Sequence, residues 1–197
     1  MKAPTTYHSP LREAQAAATA QRILEAVGTV LERGDEPTYA VVADAAGCQE
    51  RTVYRHFPTK EVLAAAFWDW QYSLVGPRDW SLGSEAQLLA LIERSFRSFD
   101  EHPELIKAML HTRHGRAARL SENDQRRAMA ERCVDDAIPG LDPDRRRQAA
   151  AATQLLFSAA AWEVLRDYWD MDGEAAAMTA CLALTAMLEG LRRSSTN

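Results

Sequence analysis

A short stretch of the chain concentrates polar side chains whose chemistry suits nucleic acid. If a helix runs from Gln49 to Phe57 with Val53 turned inward, its outer face presents Gln49, Glu50, Arg51, Thr52, Arg55 and His56. Such groups can donate hydrogen bonds to phosphates and to base edges from inside the major groove of DNA. The residue types therefore favour DNA recognition by this segment.

The residues before this face match what a tight crossing of two short helices requires. Thr38 can cap a first helix, and Ala43 is the small residue that a close crossing favours. Gly47 suits the turn because glycine accepts a left-handed backbone at little cost. Val53 anchors the second helix, and the inward side is completed by Val42, Ala46 and Phe57. The spacing predicts a helix-turn-helix, and a hairpin inside an ordinary helical core is an equal alternative on spacing alone.

Helical periodicity continues through nearly all of the remaining chain. No alternating run rich in Val, Ile and Thr indicates a strand. Breaks at glycine, proline and capping residues divide the chain into nine helices, the eighth running from Pro143 to about Asp170. We therefore predict an all-α fold with an N-terminal three-helix head and a C-terminal helical body.

Composition restricts the class of protein. The chain has 197 residues, 47% of them hydrophobic, and a formal net charge of −5. This charge excludes a protein that coats nucleic acid by bulk electrostatics, but it allows a locally basic face. No secretory signal and no run of roughly 20 apolar residues is visible. Three widely spaced cysteines (Cys48, Cys133 and Cys181) suit reduced thiols. We predict a soluble cytoplasmic protein.

The sequence around the predicted hairpin resembles a known family of DNA-binding proteins. The similar segments are Arg22–Ala26, Glu32–Gly34, Val42–Gly47 and Thr52–Glu61. The last of these, Thr-Val-Tyr-Arg-His-Phe-Pro-Thr-Lys-Glu, is highly specific. Over roughly residues 15 to 65 the chain resembles the N-terminal domain of the TetR (tetracycline repressor) family of transcriptional regulators. Beyond residue 75 the similarity is architectural only.

The resemblance implies a function and a division of the chain. It implies a flexible arm over residues 1–14, a helix-turn-helix domain over 15–59, and an effector-binding and dimerisation domain over 60–197. The implied protein is a homodimeric regulator that binds a palindromic operator in double-stranded DNA. We expect a repressor that a small, largely apolar or aromatic effector releases from DNA.

The resemblance also implies roles for individual residues. Thr38 and Lys60 would contact phosphates, as would Thr52, Tyr54 and His56, while Arg51 and Gln49 would contact bases, with Arg55 beside them. Glu50 and Arg51 depart from the family, which often has a basic residue and then a small one there. Between Met1 and Glu61, eight acidic residues also outnumber seven Lys and Arg. We therefore expect few phosphate contacts per protomer and salt-sensitive binding.

The helical body carries aromatic and sulfur-containing residues that could line an effector cavity or simply form a core. The candidate lining residues are Phe67, Trp68, Trp80, Phe96, Met109, Phe157, Trp162 and Trp169. No Arg or Lys stands out as an anion site, so the effector's charge stays open. The last two predicted helices are the expected dimer surface, with Met178, Leu182 and Leu188 on the final one.

An enzyme, a metal-binding protein and a protein-binding adaptor are the alternatives to a DNA-binding function. No nucleophile triad, phosphate-binding loop or zinc motif indicates an enzyme, so we predict no catalytic activity and no cofactor. His111 and His114 share a helix face but lack companion ligands, so we predict no metal site. The remaining alternative is a helical adaptor that binds a protein without recognising an operator.

Overall fold

The computed structural model describes residues 10–75 and 79–195, and over these residues the protein is entirely helical. The eleven described helices are α1 (Pro10–Glu32), α2 (Tyr39–Ala45), α3 (Glu50–His56), α4 (Lys60–Val75), α5 (Glu85–Glu101), α6 (Pro103–His111), α7 (Arg113–Ser121), α8 (Asn123–Ala137), α9 (Pro143–Leu156), α10 (Ala159–Trp169) and α11 (Gly173–Ser195). The all-α prediction is confirmed. Most of the predicted N-terminal arm, including Lys2, lies outside the described residues.

The prediction of nine helices is wrong by two, because two predicted helices are each divided. Thr112 adopts an extended backbone between α6 and α7, and its hydroxyl accepts a hydrogen bond from Gly115 N at 3.0 Å. Ser158 likewise separates α9 from α10 and accepts from Ala161 N at 3.2 Å. At Gly115 a Cβ would meet the Met109 carbonyl oxygen at 2.5 Å, so the first break also needs a residue without a side chain.

The chain divides into two compact units, Met1–Trp70 and Gln71–Asn197, which we call unit 1 and unit 2. In unit 1, α1 contributes Ile23, Val27 and Val30 to a core that α2 and α3 complete with Val42 and Val53, all of them buried. Burying one such aliphatic side chain stabilises a fold by about 1.5–3 kcal/mol. These contacts hold the two short helices, which are too short to be stable alone.

Unit 2 is built around α5 and α11, which pack against each other, and around the α8–α9 pair. Ile92 and Phe96 of α5 are buried, as are Leu184 and Leu188 of α11. Asp100 links three helices: its carboxylate accepts from Trp162 Nε1 of α10 at 2.9 Å and from Gly173 N at the start of α11. The pairing satisfies polar groups that would otherwise be costly to bury.

One described helix is long and apolar enough to cross a membrane by length and composition alone. Gly173–Ser194, within α11, has a mean hydropathy of 1.3 over its most apolar window. The core helix of a water-soluble protein passes the same test, so a single such helix is weak evidence for a membrane span.

Candidate nucleic-acid interface

The turn between α2 and α3 follows the expected chemistry. Gly47 has φ +61°, a left-handed conformation that strains any residue with a side chain. Its N–H donates to Asp44 O at 3.1 Å, and the next N–H, of Cys48, donates to Ala43 O at 2.9 Å. These two N–H groups of the turn therefore have hydrogen-bond acceptors within the hairpin, and α3 begins directly after the turn.

The inward side of this α2–α3 hairpin is the predicted one. Val42 and Val53 are fully buried, and Ala43, Ala46 and Phe57 are buried as well. Gln49, Glu50, Arg51, Tyr54 and Arg55 are exposed, whereas Thr52 and His56 are half-buried. Successive residues of a helix are about 100° apart, so burying Val53 and Phe57 leaves Arg51 and Arg55 on the opposite arc and Tyr54 on its flank. Glu50 shares the angular position of the buried residues but is the first residue of α3, where it is exposed.

A groove of about 280 Å³ lies where the starts of α2 and α4 meet α3. It is lined by Thr38, Tyr39, Ala40, Glu50, Tyr54, Pro58, Thr59 and Lys60. Thr38, Tyr54 and Lys60, three of the residues expected to contact phosphate, thus line one depression although 22 positions separate the first from the last. We call this depression the hairpin groove.

Tyr39 connects two of the helices that form the hairpin groove, and it is not among the site residues predicted from the sequence. Its hydroxyl, buried with the rest of the side chain, donates to the Phe57 carbonyl oxygen at 2.7 Å and so ties the start of α2 to the end of α3. Its ring meets that of Tyr54 edge-on, with 4.0 Å between the centroids. Burial, and then the neighbouring Tyr54 and Glu61, raise the pKa of Tyr39, which keeps the donating proton in place.

The charges at the groove are mixed. Lys60 Nζ lies 3.7 Å from Glu36 Oε1, and both side chains are largely exposed. An exposed ion pair of this kind contributes only about 0–1 kcal/mol, so Lys60 can exchange the carboxylate for a phosphate at low cost. Glu50, however, lines the groove directly and repels anions. The groove therefore suits a small number of phosphate contacts.

His56 contributes hydrogen bonding rather than charge. Burial, and then the positive charge of Arg55, lower the pKa of His56 from 6.5. Its imidazole is therefore neutral at pH 7 and can donate one hydrogen bond without adding a cation to the interface.

The residues predicted to line an effector cavity are mostly packed in the two cores. In unit 1, the Phe67 and Trp68 rings are buried 4.8 Å apart. In unit 2, Phe96, Met109 and Trp162 are buried, Trp80 is half-buried and Trp169 is exposed. Phe157 alone among the eight lines a second described cavity, and it does so beside three arginines that the sequence did not single out.

The described residues hold no group of three His, Cys, Asp or Glu side chains that could bind a metal ion. His111 Nε2 lies 2.6 Å from Glu163 Oε1, which gives this histidine a protein partner. The side chain of His114 lies outside the described residues. Cys48, Cys133 and Cys181 are all free thiols.

No protein-family model matches the chain, and no curated protein matches it either. The similarity over residues 15 to 65 therefore stays a prediction that rests on the motif and on the placement of its side chains.

Proposed function

We propose that the protein is a homodimeric, sequence-specific transcriptional regulator whose α2–α3 hairpin reads DNA. The observation that carries the proposal is the hairpin groove, which gathers Thr38, Tyr54 and Lys60 beside the exposed Arg51 and Arg55. Hydroxyl and ammonium groups at the edge of a reading helix fix its register on the phosphates. Arg51 then offers two parallel donors that match the acceptors of guanine.

Exposed apolar side chains on α10 and α11 support dimerisation through the last helices. Val164 and Tyr168 lie one turn apart on α10 and are 48% and 80% exposed. Met178 and Leu182 are spaced in the same way on α11 and are 67% and 71% exposed. Leu188 was expected on this surface, but it is buried in unit 2. A two-fold pairing of these faces would present two hairpins to two half-sites.

The regulatory part of the proposal is an effector that binds unit 2 and favours dimer conformations with low operator affinity. A ligand shifts such an equilibrium only by its difference in affinity for the two states. A hundredfold loss of DNA affinity needs a difference of about 2.7 kcal/mol, which a few polar contacts can supply.

The test compares wild type with Arg51→Ala combined with Arg55→Ala, using DNA from upstream of its own gene and a scrambled duplex of equal length. We expect the double variant to lose operator preference with an unchanged circular dichroism spectrum. The matched control replaces two exposed arginines of unit 2, Arg97→Ala with Arg127→Ala, and should bind DNA like wild type. Equal losses in both double variants would contradict the proposal.

A protein-binding adaptor is the second candidate, and Glu50 is the observation that favours it. An acidic side chain in the groove disfavours phosphate but would suit a basic peptide. If Glu50→Gln leaves DNA affinity unchanged or lower, the adaptor is favoured. If this substitution raises DNA affinity, Glu50 restrains binding to DNA as the regulator account requires.

A further inference from the structure

Unit 2 contains a cavity whose lining is basic although the whole chain is acidic. The cavity measures about 160 Å³ and is formed by α7, the start of α8, the end of α9 and the break before α10. Its lining residues are Arg116, Arg119, Leu120, Asn123, Arg126, Gln154, Phe157 and Ser158. Three are arginines and none is acidic, so the cavity attracts anions.

The fold holds two of these arginines in fixed positions. Arg119 donates from Nε to Met109 O at 3.2 Å and from Nη2 to Leu110 O at 3.0 Å. The Arg126 guanidinium lies over the Trp80 ring, 5.1 Å from its centroid, and 3.5 Å from Glu122 Oε2. The remaining N–H groups of a guanidinium that is already ordered bind a ligand with less loss of conformational entropy.

The third arginine stands at the opening. Arg116 is exposed, and its side chain forms no hydrogen bond or ion pair with the described residues. Glu122, the acid beside Arg126, cancels only part of the positive charge that three guanidinium groups bring. A planar guanidinium pairs with a carboxylate through two parallel hydrogen bonds. Arginine is therefore better suited than lysine to binding a carboxylate.

The remaining lining limits the size and shape of a ligand. Phe157 and Leu120 offer apolar contacts, and the Gln154 amide donates to Asn123 Oδ1 at 3.0 Å along the wall. An apolar cavity of about 150 Å³ accommodates benzene, whereas pockets for drug-sized ligands measure about 300–1,000 Å³. A nucleotide or a large cofactor is therefore too big for this cavity.

We propose that this cavity binds a small organic carboxylate with an aromatic or branched aliphatic body about the size of benzoate. The carboxylate pairs with the arginines, and the body lies against Phe157 and Leu120. Binding of such an acid does not depend on the proposed regulatory function. Only the statement that the acid is the effector rests on that function, and it makes the expected effector anionic rather than largely apolar.

The test is calorimetric titration of the full-length protein with sodium benzoate, sodium 3-methylbutanoate and the neutral benzamide at constant ionic strength. We expect at least one carboxylate to bind about tenfold or more tightly than benzamide, since an ionised group makes the stronger hydrogen bonds. Binding of neither carboxylate, or binding of both carboxylates no more tightly than benzamide, would overturn the proposal.

A pair of variants at Ser158, both of which lose the hydroxyl that donates to Leu155 O at 2.7 Å, tests the charge of the cavity. Ser158 caps α10, and Asp and Asn are caps as good as Ser. Ser158→Asp adds a negative charge to the lining, whereas Ser158→Asn adds none. We expect Ser158→Asp to weaken carboxylate binding about tenfold and Ser158→Asn to leave it unchanged. Equal affinities in the two variants would contradict an arginine-held anion.

A second pair tests the arginine at the opening. Arg116→Gln should weaken binding roughly fivefold, because an exposed charge at a rim contributes less than a buried one. Arg127→Gln removes an exposed arginine of α8 that does not line the cavity and should change nothing. Equal effects of these substitutions would overturn the role of Arg116. Because the titration contains no DNA, its failure and the failure of operator binding are separate results.

Discussion

Replacing Tyr39 with Phe removes a single oxygen atom from the wall of the hairpin groove and leaves the ring in place. The lost hydroxyl is the one that donates to the Phe57 carbonyl oxygen at 2.7 Å, within a side chain that is 4% exposed. The substitution therefore cuts the connection between the start of α2 and the end of α3 without opening a large cavity.

Stability is expected to fall because the Phe57 carbonyl oxygen loses its hydrogen-bond donor. A hydrogen bond in a folded protein contributes about 0.5–1.5 kcal/mol, and leaving its buried partner unpaired costs about 1–3 kcal/mol. We expect Tyr39→Phe to lower the free energy of unfolding of unit 1 by about 2 kcal/mol. DNA affinity should fall by about three- to tenfold, because Tyr54, whose ring rests on that of Tyr39, becomes less well ordered.

The assay is urea unfolding followed by circular dichroism, together with fluorescence anisotropy on operator DNA. Tyr54→Phe is the matched control, since Tyr54 is 50% exposed and its hydroxyl makes no hydrogen bond with the described residues. It should leave stability within about 0.5 kcal/mol of wild type yet weaken DNA binding by about fivefold. Unchanged stability in Tyr39→Phe would refute the reasoning, as would unchanged DNA affinity in Tyr54→Phe.

Three further predictions concern the α2–α3 turn, helix α3 and a buried thiol. Gly47→Ala should destabilise unit 1 by about 1–2 kcal/mol in urea unfolding because its φ of +61° strains a side chain, and no loss would show that the turn relaxes. The pKa of His56 is lowered from 6.5 by burial, so stability present above pH 6.5 should be lost as pH falls below it, and His56→Gln should reduce that dependence. Burial raises the pKa of Cys133 to about 11, so the native protein should react with a thiol reagent at pH 8 far more slowly at Cys133 than after denaturation.

The α2–α3 hairpin could be predicted because its determinants are local. Three local requirements are each met by one residue: the close crossing by Ala43, the positive φ by Gly47 and the apolar anchor by Val53. The structure buries the two apolar residues and gives Gly47 its left-handed backbone. The cap at Thr38 follows the same local logic, since its hydroxyl accepts from Val41 N.

The breaks at Thr112 and Ser158 were not predicted, and no proline stands at either of them. Ser and Thr occur inside helices as well as at their caps, so neither residue by itself ends a helix. At the first break α7 approaches the Met109 backbone so closely that only Gly115 fits, a contact that exists only once the chain has turned.

The cavity of unit 2 that three arginines line could not be predicted from the sequence for a related reason. Arg116, Arg119 and Arg126 lie on two helices and face Phe157 only after α9 folds against α8. Phe96 and Trp162, which the sequence offered as lining residues, are core residues. Composition does not distinguish a side chain that fills a core from one that lines a cavity.

The most direct test of the central claim is an anisotropy titration of operator DNA at several salt concentrations, against a scrambled duplex. We expect preference for the operator, saturation at two chains per site or a multiple of two, and a log–log salt slope no steeper than about −4, which is the value if Arg55 and Lys60 of two protomers each neutralise one phosphate. Equal affinity for both duplexes at every salt concentration would contradict the central claim, because the hairpin groove would then hold phosphate without reading sequence.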